Sequence, residues 1–505
     1  MTPARRALGH ALLLAQASIV PSHAAAQSST REPVLSSAEL LADVAILRRA
    51  YTEMHPGLLR YNTPEQVEAS FRALEAEFAR ERPLGDAYRA LSVFLATIRC
   101  GHTYANFYNQ PKDVVAALFQ RQTRVPFRFR WLGRRMLVSR SFAGAAPLRP
   151  GTEVLAIDGV PVGDILDSLM QASRADGGND AKRVANLEVT GADRWEAFDI
   201  YHPLFFPTTG PRIRLDVLPP GAKARVVLDV DAQGDEQRLE QFRASRPSAG
   251  VDTAAVFTLS YPAPQTALLR MPTWALYDSK WDWQGYLRRT FEELDRRRVT
   301  GLVLDLRDNE GGLDVGHVIL AHLAKAELRL PQYERRVRYR RAPADLVPYL
   351  DTWDRSFLDW GESAVGSNGS MFYRLTRYDD DATGADVIRP AAPRFAGQVL
   401  VLVGAGNSSA TFQFAEVVQR ERLGRLVGQP TGGNQRGING GAFFFLRLPN
   451  SHLEADLPLI GSFATQERPD AGLLPDVPVA RTAAGIARGR DEELDAALSL
   501  LRSGR

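Results

Sequence analysis

The chain has 505 residues, of which 45% are hydrophobic and 24% charged, with a formal net charge of +3. That length is enough for about two to four domains with sizeable cores, and the composition is globular rather than fibrous or disordered. A near-neutral balance with no long basic run excludes the electrostatic footprint of a nucleic-acid-binding protein.

The N-terminus reads as a targeting segment. Arg5 and Arg6 precede an apolar stretch from Ala7 to Val20, and PSHAAAQSS follows. A short basic head, an apolar middle and an Ala-x-Ala exit predict a secretory signal over residues 1–26, cut after Ala26. The apolar run is too short to span a bilayer and contains His10 and Gln16. No later stretch reaches transmembrane length, so export without a stable membrane span is expected. Cys100 is the single cysteine, which rules out an intrachain disulfide and predicts a small buried filler.

Helices come first. SSAELLADVAILRRAYTEMHP opens on a Ser-Ser cap, places Leu40, Leu41, Val44, Leu47 and Tyr51 three and four apart, and stops at Pro56. A second helix starts with Thr63 as cap and Pro64 at its first position. LGDAYRALSVFLATI predicts a third, ending at the loop RCGHTYANF. From about residue 125 the chain alternates. VPFRFRWLGRRMLVSRSF predicts a half-buried hairpin, and PGTEVLAIDGVPVGDILDSLM a strand, turn, strand and helix. Residues 171–195 are polar and small and read as an exposed connection. IRLDVLP and ARVVLDVDA predict further strands.

From about 266, strands alternate with helices. TALLRMP, VTGLVLDLRDNEGG and GQVLVLVGAG are apolar strands, and DWQGYLRRTFEELDRRR, GHVILAHLAKA and ATFQFAEVVQRE are the helices. Apolar strands with intervening helices predict a parallel or mixed sheet covered on both faces. Sites on such sheets lie beyond the carboxyl ends of the strands, where both glycine-rich turns fall.

Ser408 and Ser409 stand where strand 398–403 gives way to a helix. A serine there can be a nucleophile, with the next backbone N–H and the helix dipole facing an oxyanion, or simply an N-cap. GAGNSS lacks the last glycine of a dinucleotide fingerprint. The turn DLRDNEGG ends in Gly311 and Gly312, whose amides could complete an oxyanion hole or merely close a turn. The candidate bases are His55, His102, His202, His317, His322 and His452. His317 and His322 are five apart in a core helix and no H-E-x-x-H exists, so no metal or other cofactor is expected. His102 lies in a glycine-flanked loop where a working side chain is easily exposed.

Together these pieces resemble the tail-specific, or C-terminal-processing, serine peptidases. IRCGHTYANF is similar to the family's segment around an active-site histidine, LVLDLRDNEGG to its D-L-R-x-N-x-G-G turn, and SSATFQFAEVVQ to its serine helix. VGQPTGG and LLPDVPV follow in the family's order, and PGTEVLAIDGVPV resembles the second half of a PDZ module. The resemblance implies a crotonase-like α/β core of mixed sheet covered by helices, an N-terminal helical domain and a β-rich, partly PDZ-like middle domain. The expected division is 1–26, 27–112, 113–264, 265–485 and a C-terminal helix at 486–505.

Carried over residue by residue, the resemblance implies Ser409 as nucleophile, with Ser408 as fallback, and oxyanion donors at Ala410 and Gly311 or Gly312. Thr431, Gly432 and Asn434 would bind substrate. Many members use a Ser–Lys dyad, but Asn434 stands at the lysine position and cannot accept a proton. The histidine-using branch is the better match, which implies His102 as base and Glu467, Asp456 or Glu454 as the acid that orients it. The expected substrate is a peptide or unfolded protein in the periplasm or outside the cell. A non-catalytic binder on the same fold, its pocket lined by Trp274, Tyr277, Trp281 and Trp283, and an esterase-like hydrolase are the alternatives.

Overall fold

The computed structural model describes residues 32–142, 148–208, 210–245, 256–331, 333–366, 369–379 and 387–503. The segment read as a secretory signal, 1–26, lies outside the described residues.

The opening helices form where their caps direct. Ser36 caps Ser37–Met54 in a reciprocal capping box with Glu39, and Thr63 caps Pro64–Glu77 in a box with Gln66. Leu84–Thr97 is the third helix, and the loop after it carries His102. Phe127–Leu132 and Arg135–Ser141 pair as the expected hairpin. They continue through Glu153–Ile157, Arg212–Leu218 and Val226–Asp231 and, with the short Val160–Pro161 paired on Glu153–Ile157, make a six-stranded antiparallel sheet.

The central sheet has six strands. In spatial order they are Val477–Pro478, Arg425–Gly428, Gln398–Val403, Gly301–Asp305, Thr266–Arg270 and Thr258–Ala263. The first five are mutually parallel and the last is antiparallel, so the sheet is mixed. Helices Trp283–Arg296, Val315–Leu323 and Ser409–Arg420 share one apolar cluster with it, through Phe291, Ile319, Phe414 and Val417. Helix Glu492–Ser503 covers the other face, setting Ala497 among Val303, Leu400, Leu402 and Val427. Leu302, Val303 and Leu304 are wholly buried, and burial of each such side chain stabilises by about 1.5–3 kcal/mol. The double cover explains why these strands are apolar at every position rather than at alternate ones.

A second six-stranded sheet, antiparallel throughout, contains Asn439–Arg447, Glu454–Ala464 and Tyr333–Val337. Although it falls within 265–485, it shares its core with the N-terminal helices, uniting Tyr51 and Met54 with Leu457 and Leu459. The Tyr51 hydroxyl donates to the Asp456 carbonyl at 2.8 Å. The helical region is thereby bound directly to the C-terminal half of the chain.

Residues 171–195 are not an exposed connection. They contain the short helix Asp180–Asn186, and Ser173, Asp176, Asn179 and Lys182 are buried. The polar side chains satisfy the core's backbone groups instead of water. Asn179 donates to the carbonyls of Thr431 and Gly433, both at 2.9 Å, and Gly178 N–H donates to Asp470 at 2.9 Å.

Candidate active site

Two strand-end turns are riveted together by asparagines. Asn309 donates to the Met271 carbonyl at 2.8 Å, and its own carbonyl accepts from Asn407 at 3.1 Å and from the Thr411 hydroxyl at 2.9 Å. Asn407 accepts the Gly404 N–H at 2.8 Å, and its carbonyl receives the N–H groups of Gly432 and Gly433. The turn at 309–312, the serine loop at 404–409 and the turn at 431–433 are thus one hydrogen-bonded unit.

Ser409 opens its helix with φ of +51°, a left-handed conformation that non-glycine residues rarely hold. Such a residue stores about 1–3 kcal/mol of backbone strain. Its hydroxyl makes no hydrogen bond to any described residue. Ser408 occupies the N-cap position without capping: its hydroxyl donates instead to the Glu310 carbonyl at 3.1 Å. The ordinary reason for paired serines before a helix is therefore not met here.

The glycine turn lies against this serine. A Cβ on Gly311 would stand 2.9 Å from both the Ala410 nitrogen and the Ser409 Cβ. Gly311 N–H is held by the Asn309 side chain at 2.9 Å. Gly311 C=O and Leu313 N–H form the bridge to Trp274, which leaves the Gly312 N–H unengaged among the described residues. Ala410 is in the first helical turn, whose N–H groups have no partner within the helix. The Ala410 nitrogen and the Ser409 Cβ thus both lie against the glycine turn, in which the Gly312 N–H is unengaged among the described residues.

His102 lies in the buried loop at 100–106, over Gly440 and 5.9 Å from the Phe443 ring centre. Burial lowers its pKa, and Arg174 and Lys182 act in the same direction against Asp176 and Glu310, so the imidazole is neutral at neutral pH. No hydrogen bond joins it to Ser409. The two loops are linked through Arg174, which donates to the Gly101 carbonyl and pairs with Glu310 at 3.4 Å.

None of the three expected acids bonds to His102, whose Nδ1 is buried without a partner. Glu467 is exposed on the loop after strand Glu454–Ala464. Glu454 pairs with Arg447 at 2.9 Å. Asp456 accepts from Asn106 at 2.7 Å and from Asn109 at 3.1 Å, and burial pushes its carboxyl up to about 7. Asp456 thus holds the far end of the histidine loop, and Asp176 holds its start, accepting the Gly101 N–H beside His102 at 2.9 Å. Asp176 is also the largest charge favouring the protonated imidazole.

The residues expected to touch substrate are interior. Thr431, Gly432 and Asn434 are all buried. Thr431 accepts from Leu473 N–H at 2.8 Å, and Asn434 donates to Asp470 at 2.7 Å and to the Asp176 carbonyl at 3.2 Å. They hold the turn in place rather than line a cleft. Cys100 is a buried free thiol, pushed up to about 11 by burial. His55 bonds to Thr103, His322 stacks on Phe291, His202 is buried, and His452 pairs with Asp113 at the surface. The aromatics of the binder reading are divided between core and surface: Trp274 is buried on Phe414, Trp281 (on Phe257 and Tyr286) and Trp283 pack against the same apolar cluster, and Tyr277 stands 69% exposed.

Sequence reading missed Arg174, Asp176, Lys182 and Glu310, the charged ring that joins the two loops. Glu310 sits inside a motif that was read only for its glycines. The other three belong to the segment read as a connection.

A parallel-stranded core thus holds a left-handed serine between two strand-end turns. Residues 265–442 match the family described as Peptidase family S41. Among solved structures, mature CPAF complexed with lactacystin is 15% identical, with TM-score 0.62 over 93% of this chain and 99% of that one. Uncomplexed mature CPAF is also 15% identical, with TM-score 0.60 over 93% and 98%. The photosystem II D1 C-terminal processing protease is 15% identical, with TM-score 0.38 over 90% and 98%. Among curated proteins no sequence match is found. Through residues 265–442 the α/β core is similar to peptidase family S41, and the match points to a serine-type peptidase.

Proposed function

We propose that this chain is an exported endopeptidase that hydrolyses peptide bonds in flexible or unfolded protein segments with Ser409 as nucleophile and His102 as base. The observation that carries it is the left-handed Ser409, its hydroxyl unengaged at the head of its helix and its Cβ against the Gly311 turn. The export part rests on the N-terminal pattern alone. Among the described residues no helix is long and apolar enough to cross a membrane.

In this mechanism the neutral imidazole removes the Ser409 proton as the oxygen attacks the scissile carbonyl. The oxyanion is stabilised by the Ala410 and Gly312 amides, and the positive helix end adds to this. His102 returns the proton to the leaving amine, then activates water to release the acyl group. Asp176 favours the transient imidazolium through its charge. The His102–Ser409 hydrogen bond closes with substrate, since such bonds are commonly long in free enzymes. Thr431 and Asn434 act as supports for the serine loop.

The reading is tested by incubating wild type and Ser409→Ala with an unfolded protein and comparing peptide release. Cleavage by wild type and none by the variant is expected, and an active variant would exclude the nucleophile. Turnover of an ester beside a peptide of the same acyl group separates a peptidase from an esterase-like hydrolase.

A further inference from the structure

We propose that Lys182 is a positioning residue of this site, a cationic tie by which the middle domain holds the glycine turn and the serine loop in register. The proposal rests on the Ser409 reading for its catalytic consequence, but the tie itself is independent of it.

The chain is strongly biased to arginine: of its 62 basic residues five are lysines, at 112, 182, 223, 280 and 325. Four of these are exposed, and Lys182 is buried with its side chain 3% accessible. Its Nζ donates to the Glu310 carboxylate at 2.5 Å and to the Gly406 carbonyl at 3.1 Å. Glu310 precedes the Gly311–Gly312 turn, and Gly406 lies in the loop that delivers Ser408 and Ser409. One ammonium therefore bridges the two halves of the reacting centre. Its stem passes over the third turn as well, since a Cβ on Gly432 would stand 2.8 Å from Lys182 Cδ.

Burial lowers the Lys182 pKa and the adjacent Glu310 carboxylate opposes this by favouring the ammonium, while the Nζ hydrogens are directed at two oxygens rather than at Ser409. Desolvation would raise the Glu310 carboxyl, but the charges of Lys182 and Arg174 outweigh it and hold it down at about 2. A compact ammonium suits two acceptors on separate loops, whereas a planar guanidinium favours one bidentate partner. Asn179, which caps this short helix, fixes the lysine backbone against the core through its bonds to Thr431 and Gly433. The middle domain completes the site rather than merely flanking it.

The asymmetry of the pair separates activity from folding. The Glu310 side chain is half exposed and can rehydrate when its partner is lost, while methionine fills the buried lysine volume without a charge. Lys182→Met, Glu310→Gln and the double variant are compared for the rate of Ser409 labelling by a serine-reactive phosphonate. Tm and amide hydrogen exchange across 305–312 and 404–410 are read on the same samples. Lys182→Met is expected to slow labelling on the order of 10²-fold, the scale of a misplacement of about 1 Å. Tm should hold, exchange should rise in both loops, and the double variant should be no slower than the worse single. Unchanged exchange and a labelling rate within about twofold of wild type would overturn the tie, as would fully multiplicative losses. If Lys182→Met does not fold, Glu310→Gln decides by the same readings. Wild type that resists labelling, with the exchange response intact, would refute the Ser409 reading and leave the tie standing.

Discussion

The central sheet and the 171–195 segment are built on opposite principles. Strand Gly301–Asp305 is buried at all five positions by local sequence character: every side chain is apolar or small until Asp305, and neighbours on both faces are greasy. The segment at 171–195 is buried just as firmly at Asp176, Asn179 and Lys182, yet its partners lie far away in the chain, at Gly101, Thr431, Gly433, Glu310 and Gly406. The first kind of burial follows from transfer out of water; the second is stable because each polar group meets a complementary one. The two meet at the carboxyl ends of the strands, where the proposed site lies.

The comparison breaks most severely at the reacting atoms. Ser409→Ala and His102→Ala should each lower peptide turnover by about 10⁴–10⁶-fold while leaving the apolar core intact, as read by kcat and by unchanged Tm. Gly312→Ala strikes the boundary between the regions. At φ of +136° its Cβ would lie 2.2 Å from Trp274 carbonyl atoms, so the turn must move. Loss of one oxyanion donor predicts a fall in kcat of about 10²–10³-fold, with a lower Tm besides.

Asn179→Ala removes both bonds that seat the polar segment and should cost about 1–3 kcal/mol in urea unfolding, more than a surface substitution would. The pH profile sharpens the electrostatic side. Because burial lowers the His102 pKa, the base stays neutral to more acid pH, and the acid limb of kcat/KM is expected below pH 6.5.

The smallest effect is expected at Asp456. Its folded-state carboxyl, at about 7, is raised above the ordinary 3.8. Its contribution is therefore full below 3.8 and is lost as pH rises through 7. Relative to wild type, Asp456→Asn should gain Tm as pH rises from 4 to 7, with kcat within about threefold, since the residue is no longer a candidate partner of His102.

Much of this molecule was legible in its residues. Capping signals marked the helices at Ser36 and Thr63, continuous apolar runs marked the covered strands, and the order of the glycine turn, serine helix and following turn pointed to the family. Ser409 and the glycine turn stand out in sequence because strand ends impose short-range geometry. The orienting acid does not, because a carboxylate's partner depends on which loops meet, and Glu467, Asp456 and Glu454 all face elsewhere. Thr431 and Asn434 were placed on the right turn but assigned to substrate, since sequence order does not reveal which side of a turn is covered. Lys182 carried a weak signal, a lone lysine in an arginine-rich stretch, which gains meaning only beside Glu310.

The central claim is tested most directly by reacting the intact protein with a serine-reactive phosphonate and mapping the adduct by peptide mass spectrometry. Modification of Ser409, abolished in His102→Ala, is the expected result. An adduct on Ser408, or labelling of Ser409 that persists undiminished without the imidazole, would contradict it.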